Sequence, residues 1–352
     1  VSGKPTASGR RGKRKIDGLS SALAGIALAG AVPARWKPAR GAAILTAVAA
    51  ALPDADLALR ALGNDNWIFS HRGITHSLPG LLVLLLILAF AARPFLPGWG
   101  TVAVLGFAAS GLAIHVILDW LNSWGPMLVA PFATTRYALD WMASTDIWAV
   151  VILGGGVAWS LARPARSIPV SRGTLGVFAA YVLLCAGSHS MGREQVRAVV
   201  GRLGLVAERI EAFPQPFSPF RWTGVAWVAG RSYGAKEKGD AAGERESCYV
   251  AEVGAFTGIR GRVRCYFQRP LPASLAGEFS IRYLGWARAP AVCFIAGRYP
   301  NEAILCDLRF AAAGRMEYAV MLSAGAGGPT HRWLGSDEQV PSADLEFELP
   351  PR

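Results

Sequence analysis

His71-Arg72-Gly73-Ile74-Thr75-His76-Ser77 runs without a break into LPGLLVLLLILAFAARPFL, residues 78–96. A bilayer core about 30 Å thick needs about 20 consecutive apolar residues in a helix. The run meets that length with Arg93 as its single charge. Two imidazoles and a guanidinium therefore stand where a membrane-spanning helix begins.

Residues 100–121 supply a second span of full length. Residues 147–162 and 174–190 reach it with neutral flanks, and 19–32 and 41–59 are Ala-rich candidates. Six spans are expected, with Ala22, Gly25, Ala29 and Gly30 suited to close helix contact. Composition agrees. Of 352 residues, 52% are hydrophobic and 17% charged, against about a quarter charged in soluble domains. That balance excludes a disordered chain, a collagen-like repeat and a small disulfide scaffold.

The net charge of +12 is concentrated at one end, where Lys4, Arg10, Arg11, Lys13, Arg14 and Lys15 precede the first apolar run. Basic residues in that position mark a cytoplasmic flank more often than a nucleic-acid arm. The expectation is a multi-pass protein of the inner (plasma) membrane, in contact with lipids and not with nucleic acid. A cytoplasmic N-terminus then puts residues 52–77, 118–146 and the chain from 191 onward on one side, and inverting the whole protein preserves that grouping.

Beyond about Gly192 charges become frequent and short strand-like runs take over: 222–229, 248–256, 262–267, 279–286, 291–296, 304–310 and 317–322. They are entered through a helix near 193–213, closed by Pro214, Pro216 and Pro219. The expected organisation is a basic tail (1–17), an α-helical polytopic membrane domain of about six spans (18–192) and a mainly β soluble domain (193–352). Cys185, Cys248, Cys265, Cys293 and Cys306 contain no CxxC pair and read as free thiols.

The six-span reading gathers the chemistry on one face. His71 and His76 precede the third span, and His115 and Asp119 lie four apart on one helix face. Asp54 and Asp56 close the second span, and Asp140 and Asp146 flank the fifth. An Asp in a membrane helix costs about 2.5–3.5 kcal/mol on insertion scales, so Asp119 needs a partner, and His115 supplies one. Imidazoles with carboxylates are the usual ligands of zinc, manganese and similar divalent ions. Such an ion would offset the desolvation of several carboxylates and would bring the pKa of a bound water toward neutrality.

Singly, each residue has an ordinary structural reading. His115–Asp119 could be a hydrogen bond, Asp54 and Asp56 a polar helix stop after Pro53, and Asp140 a loop carboxylate. Asp146 could be an N-cap, and Arg72 could snorkel to headgroups or bind an anionic substrate group. Their coincidence on one side favours the metal. Gly230-Arg231-Ser232-Tyr233-Gly234 matches GxSxG but leads into a Lys/Glu/Gly-rich turn, not the helix a nucleophile elbow needs. His189 and His331 stand without companions in the sequence, and Trp222, Trp227, Trp286 and Trp333 suit a β core or a membrane interface.

His71–Ser77, with Leu52-Pro53-Asp54-Ala55-Asp56 before it and His115-Val116-Ile117-Leu118-Asp119 after it, resembles the membrane-bound metal-dependent hydrolase family, the LexA-regulated inner-membrane hydrolases. The resemblance covers residues 17–148 and, more loosely, PFSPFRW at 216–222. It implies a metal-dependent hydrolase with His71, His76, His115, Asp119, Asp54 and Asp56 as ligands and Asp146 as a further one. Asp119, His76 and Arg72 form the expected catalytic set, acting on an ester or phosphoester, lipid-like because the site opens at headgroup depth. One departure stands out: members commonly carry Asp-x-x-Thr-His, and here Asp17-Gly18-Leu19-Ser20-Ser21 puts serine where the histidine belongs. That keeps open a non-enzymatic membrane-anchored binding protein with a relic or structural metal site. An ion transporter is disfavoured, because its polar residues would be spread through the membrane depth.

Overall fold

The computed structural model describes residues 17–33, 39–229, 246–268, 270–294, 301–312, 315–316, 318–334 and 345–349. The basic tail and the GxSxG stretch lie outside the described residues. The helices are α1 (Asp17–Ala31), α2 (Ala39–Ala51), α3 (Asn64–Ser70), α4 (Leu78–Ala92), α5 (Thr101–Leu121), α6 (Ile147–Ala162), α7 (Ser167–Arg202) and α8 (Glu278–Trp286). The strands are β1 (Arg209–Pro214), β2 (Arg221–Val228), β3 (Ser247–Gly254), β4 (Gly258–Phe267), β5 (Pro290–Phe294), β6 (Glu302–Asp307), β7 (Ala311–Ala312), β8 (Arg315–Met316), β9 (Val320–Ser323), β10 (Thr330–Trp333) and β11 (Leu345–Phe347).

Among the described residues, four stretches are long and apolar enough to cross a membrane: Arg40–Leu62, Leu78–Phe95, Thr101–Leu121 and Pro164–Arg202. The other two expected spans, α1 and α6, are helices of 15 and 16 residues. At 1.5 Å per residue they reach only about 22–24 Å, so the structure supports four spans by length rather than six. α4 is apolar all round, with Leu82, Val83, Leu86, Ile87 and Phe90 exposed. Such a surface is stable against lipid, not water.

The chain divides into two compact units. One draws on Val1–Pro53, Val83–His115 and Ser144–Phe178, the other on Asp54–Leu82, Val116–Ala143 and Ala179–Arg352. In the first, α1 and α5 close on α2 through glycine. A Cβ at Gly25 would lie 2.9 Å from the Thr46 carbonyl oxygen, and one at Gly111 2.4 Å from it.

In the second unit a five-stranded antiparallel sheet runs in the order β1-β2-β3-β4-β11, and a four-stranded one β10-β9-β6-β5. Alternation puts Phe213, Val225, Trp227, Val250 and Tyr266 of the first sheet in one core with Ala291, Cys293, Ile304 and Cys306 of the second. Val196, Val199, Val200 and Leu203 pack with Trp222, Tyr249 and Val253 in another. The helix expected over 193–213 is therefore the end of α7, which continues from a membrane span and stops at Arg202. Residues 279–286, expected as a strand, form α8. The Ser280 hydroxyl accepts from the Gly277 N–H at 2.9 Å, and Ser280, Tyr283 and Trp286 are buried at helical spacing. Packing of that stripe overrides the β preference of its aromatic residues.

Candidate metal centre

After α2 the chain tightens into a 3-10 segment, Leu52–Leu62, which carries Asp54 and Asp56 into the interior. α3 then ends at His71, whose N–H still bonds the Trp67 carbonyl at 2.8 Å. Arg72 adopts φ +59°, a left-handed turn that aims its N–H at Asp56 Oδ2, 2.9 Å away. A second 3-10 turn, Ile74–His76, hands over to α4. There the Ser77 hydroxyl donates to the Ile74 carbonyl at 2.8 Å and accepts from the Gly80 N–H at 3.1 Å. The turn crowds α4, for a Cβ on Gly80 would lie 1.8 Å from the Ile74 oxygen.

Asp56 is the hub of the second unit's polar cluster. Its Oδ1 accepts from His71 Nδ1 at 2.8 Å, and its Oδ2 accepts from the Arg72 N–H and from Thr75 Oγ1 at 3.0 Å. His76 is fully buried among three carboxylates: Nδ1 lies 3.4 Å from Asp56 Oδ2, and Nε2 lies 3.2 Å from Asp119 Oδ2 and 3.7 Å from Asp54 Oδ1. Asp119 also pairs with Arg72 Nη2 at 2.9 Å, while Arg72 Nη1 donates to Asn122 Oδ1. Asp54, Asp56 and His71 each offer a ligand atom within 4.8 Å of one another.

The partners settle the tautomers. A carboxylate and a carbonyl can only accept, so His71 carries its proton on Nδ1 toward Asp56, and His115 on Nδ1 toward the Ala50 oxygen at 2.6 Å. His76 Nδ1 sits 2.9 Å from Thr75 Oγ1, whose hydroxyl is donated onward to Asp56. In neutral form all three rings then present their lone pair at Nε2. A ligating histidine is normally held in this way, with its other nitrogen tied to an acceptor. Burial lowers the His71 pKa, and the hydrogen bond to Asp56 only partly offsets it, so the ring is neutral at pH 7. Burial also opposes charge on His76, but Asp119, Asp54 and Asp56 outweigh it and push the pKa up to about 9.

An aromatic wall backs His71. Trp67 stacks on its ring at 5.6 Å and Trp124 meets it edge-on at 6.0 Å, and Trp124 in turn contacts Trp286, Phe310 and Tyr318. Arg309 donates to the Ser123 carbonyl at 2.6 Å and pairs with Asp307. Arg136 donates to the carbonyls of Gly125 and His71 at 3.1 and 2.9 Å. Burial first, then the charges of Arg309 and Arg72, lowers its pKa to about 9, leaving it cationic at neutral pH.

Asp54, Asp56, His71, Arg72, His76 and Asp119 are thus gathered in one cluster. Arg72, 2% exposed and ion-paired, does not snorkel to headgroups. His115 belongs to the first unit, one turn before Asp119 on α5. Asp146 N-caps α6, accepting from the N–H groups of Trp148 and Ala149 at 2.9 and 3.0 Å. Asp140 holds Arg288 through two bonds of 2.6 and 2.8 Å. His331 has companions after all, pairing with Asp65 at 2.8 Å and stacking on Phe279 at 3.6 Å. Asn122, Trp124, Arg136 and Arg309 escaped the sequence reading, because no local spacing ties them to the histidines.

Apolar helices of spanning length joined to a buried His/Asp cluster define an integral membrane protein with a candidate metal site. Residues 16–196 match the model of the YdjM inner membrane protein family, and the chain belongs to that family. A curated relative is the uncharacterized protein YfhP of Bacillus subtilis (strain 168), 30% identical over 132 residues. The alignment covers 36% of this chain and 39% of the relative, so the chain spans about two-fifths of the relative it matches. No solved structure matches. Membership rests on an inner-membrane family; hydrolase activity and LexA regulation are no part of the match.

Proposed function

We propose that the chain is a divalent-metal-dependent hydrolase of the inner membrane, acting on an ester or phosphoester at headgroup depth. The observation that carries this reading is His76, enclosed by Asp54, Asp56 and Asp119. Three carboxylates faced by Arg72 and a protonated His76 leave one negative charge over. A divalent ion in place of the His76 proton neutralises the set, and zinc or manganese suits imidazole with carboxylate. The residues therefore fit such an ion: Asp54, His71, His76 and Asp119 would hold it, with His115 the further candidate from its place on α5. Asp56 and Thr75 would orient the rings. The ion, when bound, would supply a hydroxide near neutral pH. Asp146, engaged as a cap, is left out of the set.

The basic residues before α1 favour a cytoplasmic N-terminus. The division into a membrane domain, 18–192, and a β domain, 193–352, belongs to the same proposal, with α7 crossing that boundary as one helix. Ser21, buried in α1 at the position where the resemblance leads one to expect histidine, favours a second reading in which the ion is structural and the chain binds without turnover. Elemental analysis of protein purified in mild detergent tests both. Stoichiometric metal lost in His71→Ala and His76→Ala, with hydrolysis of ester or phosphoester panels lost in Asp119→Asn, supports the hydrolase. Metal without turnover supports the second reading, and unchanged metal in the histidine variants rejects the site.

A further inference from the structure

We propose that the donors around residues 122–125 form a phosphoryl-binding subsite beside the metal centre. As a substrate subsite this rests on the hydrolase reading above; as an anion site it stands on its own geometry.

Four side-chain donors are more than nine-tenths buried and find no partner among the described residues: Trp67 Nε1, Arg72 Nε, Ser123 Oγ and Trp286 Nε1. They surround one loop. The Trp124 ring lies 5.5 Å from that of Trp67 and 5.7 Å from that of Trp286, Ser123 precedes it in the chain, and Arg72 grips Asn122. Buried donors without acceptors are costly and rare. Indole and guanidinium N–H groups cannot accept, so the chemistry that completes them is oxygen-rich.

The charge is specified too. Arg72 has Asp119, and Arg309 has Asp307. Arg136, on the same loop through the Gly125 carbonyl, binds only carbonyl oxygens among the described residues, and its Nε is also unpaired. No carboxylate contacts Arg136 among the described residues, so its charge is answered only at a distance. A neutral ester would leave it so. A phosphoryl group answers both the charge and the donors, and guanidinium suits its geometry.

The test is binding of inorganic phosphate to the full chain in lipid nanodiscs after EDTA treatment, followed by calorimetry. The intact protein should bind. Arg136→Gln should weaken binding about 10- to 100-fold, as loss of a charge-assisted contact does, and Trp286→Phe, which keeps an aromatic ring but removes the indole N–H, about 3- to 10-fold. Arg288→Gln, which removes a guanidinium engaged by Asp140, should leave binding in place. No binding by the intact protein, equal binding by both subsite variants, or an equal loss in Arg288→Gln overturns the proposal. If Arg136→Gln does not fold, Trp286→Phe decides. Adding phosphatidic acid to the nanodiscs identifies the carrier: competition supports a subsite for a lipid headgroup, and undiminished phosphate binding supports one for a soluble phosphoester. Metal content measured on the same samples before chelation shows separately whether the hydrolase reading fails.

Discussion

Asp56→Asn is the most revealing single change, because it preserves shape while removing one acceptor and the negative charge. The carboxylate receives three donors, from His71 Nδ1, the Arg72 N–H and Thr75 Oγ1, at 2.8, 2.9 and 3.0 Å. An amide has one acceptor oxygen, so whichever way it turns its NH2 faces a donor. With nitrogen toward His71, the imidazole must shift its proton to Nε2 and loses the lone pair a metal needs. With nitrogen toward Arg72, a fixed backbone N–H is left unpaired. Hydrogen bonds to charged groups contribute about 1.5–3 kcal/mol each. Losing at least one, and leaving a buried donor opposed, should cost about 3–5 kcal/mol, the range for breaking a buried pair. Metal affinity should fall about 10- to 100-fold, as for other outer ligand partners. Thermal unfolding in detergent with chelator present gives the first quantity, and competition of zinc against a chromophoric chelator the second. A midpoint within about 1 °C of wild type and an affinity within about twofold would refute the role of Asp56 as the hub, since losses of this size shift midpoints by several degrees.

Three other outcomes are expected. His76 is raised from 6.5 to about 9, so the stability it gives the metal-free protein is complete below 6.5 and is lost as pH rises through about 9; a melting midpoint that climbs from pH 7 to 10 in chelator would contradict this. Gly80→Ala drives a Cβ against the Ile74 carbonyl, 1.8 Å away in the unrelaxed backbone, and should cost about 1–3 kcal/mol by overpacking, measured as a lowered unfolding midpoint. The Cys248 thiol, pushed up to about 12 mainly by burial, should resist N-ethylmaleimide at pH 8 until the protein unfolds; stoichiometric labelling of the folded chain by mass spectrometry would count against the core packing.

Much of the site was legible because its chemistry is local. His71, Arg72, Thr75, His76 and Ser77 occupy one continuous turn, and the price of burying Asp119 could be weighed from its apolar neighbours alone. The strands over 222–228 and 248–254 were legible for the same reason, since β-branched and aromatic runs ended in turn residues. The differences from expectation have physical causes as well. Phe279, Tyr283 and Trp286 carry a β preference, yet their spacing of three to four suits the helical stripe that packs over the second sheet. α1 and α6 are apolar enough for a membrane but short. Arg136 and Arg309 reach the centre across 65 and 186 residues, to the carbonyls of His71 and Ser123. Backbone carbonyls leave no mark on a sequence, so nothing in it foretold those contacts.

Whether the charged cluster serves binding or merely the fold can be decided by removing a pair rather than a partner. Arg72 and Asp119 are almost wholly buried, and their attraction must offset the desolvation of both. Replacing a buried pair by apolar residues of similar volume is often neutral or stabilising by about 1–4 kcal/mol, whereas deleting one member leaves an uncompensated charge at a cost of about 3–5 kcal/mol. Arg72→Met combined with Asp119→Leu should therefore fold with a midpoint near or above wild type, while Asp119→Leu alone is strongly destabilised. If the cluster exists to hold a cation, the stable double variant, which lacks the Asp119 carboxylate, binds it more weakly than wild type. A double variant as unstable as the single one would instead mean that the turn at Arg72, through Asn122, depends on the ion pair, and the centre would then be framework first and ligand site second.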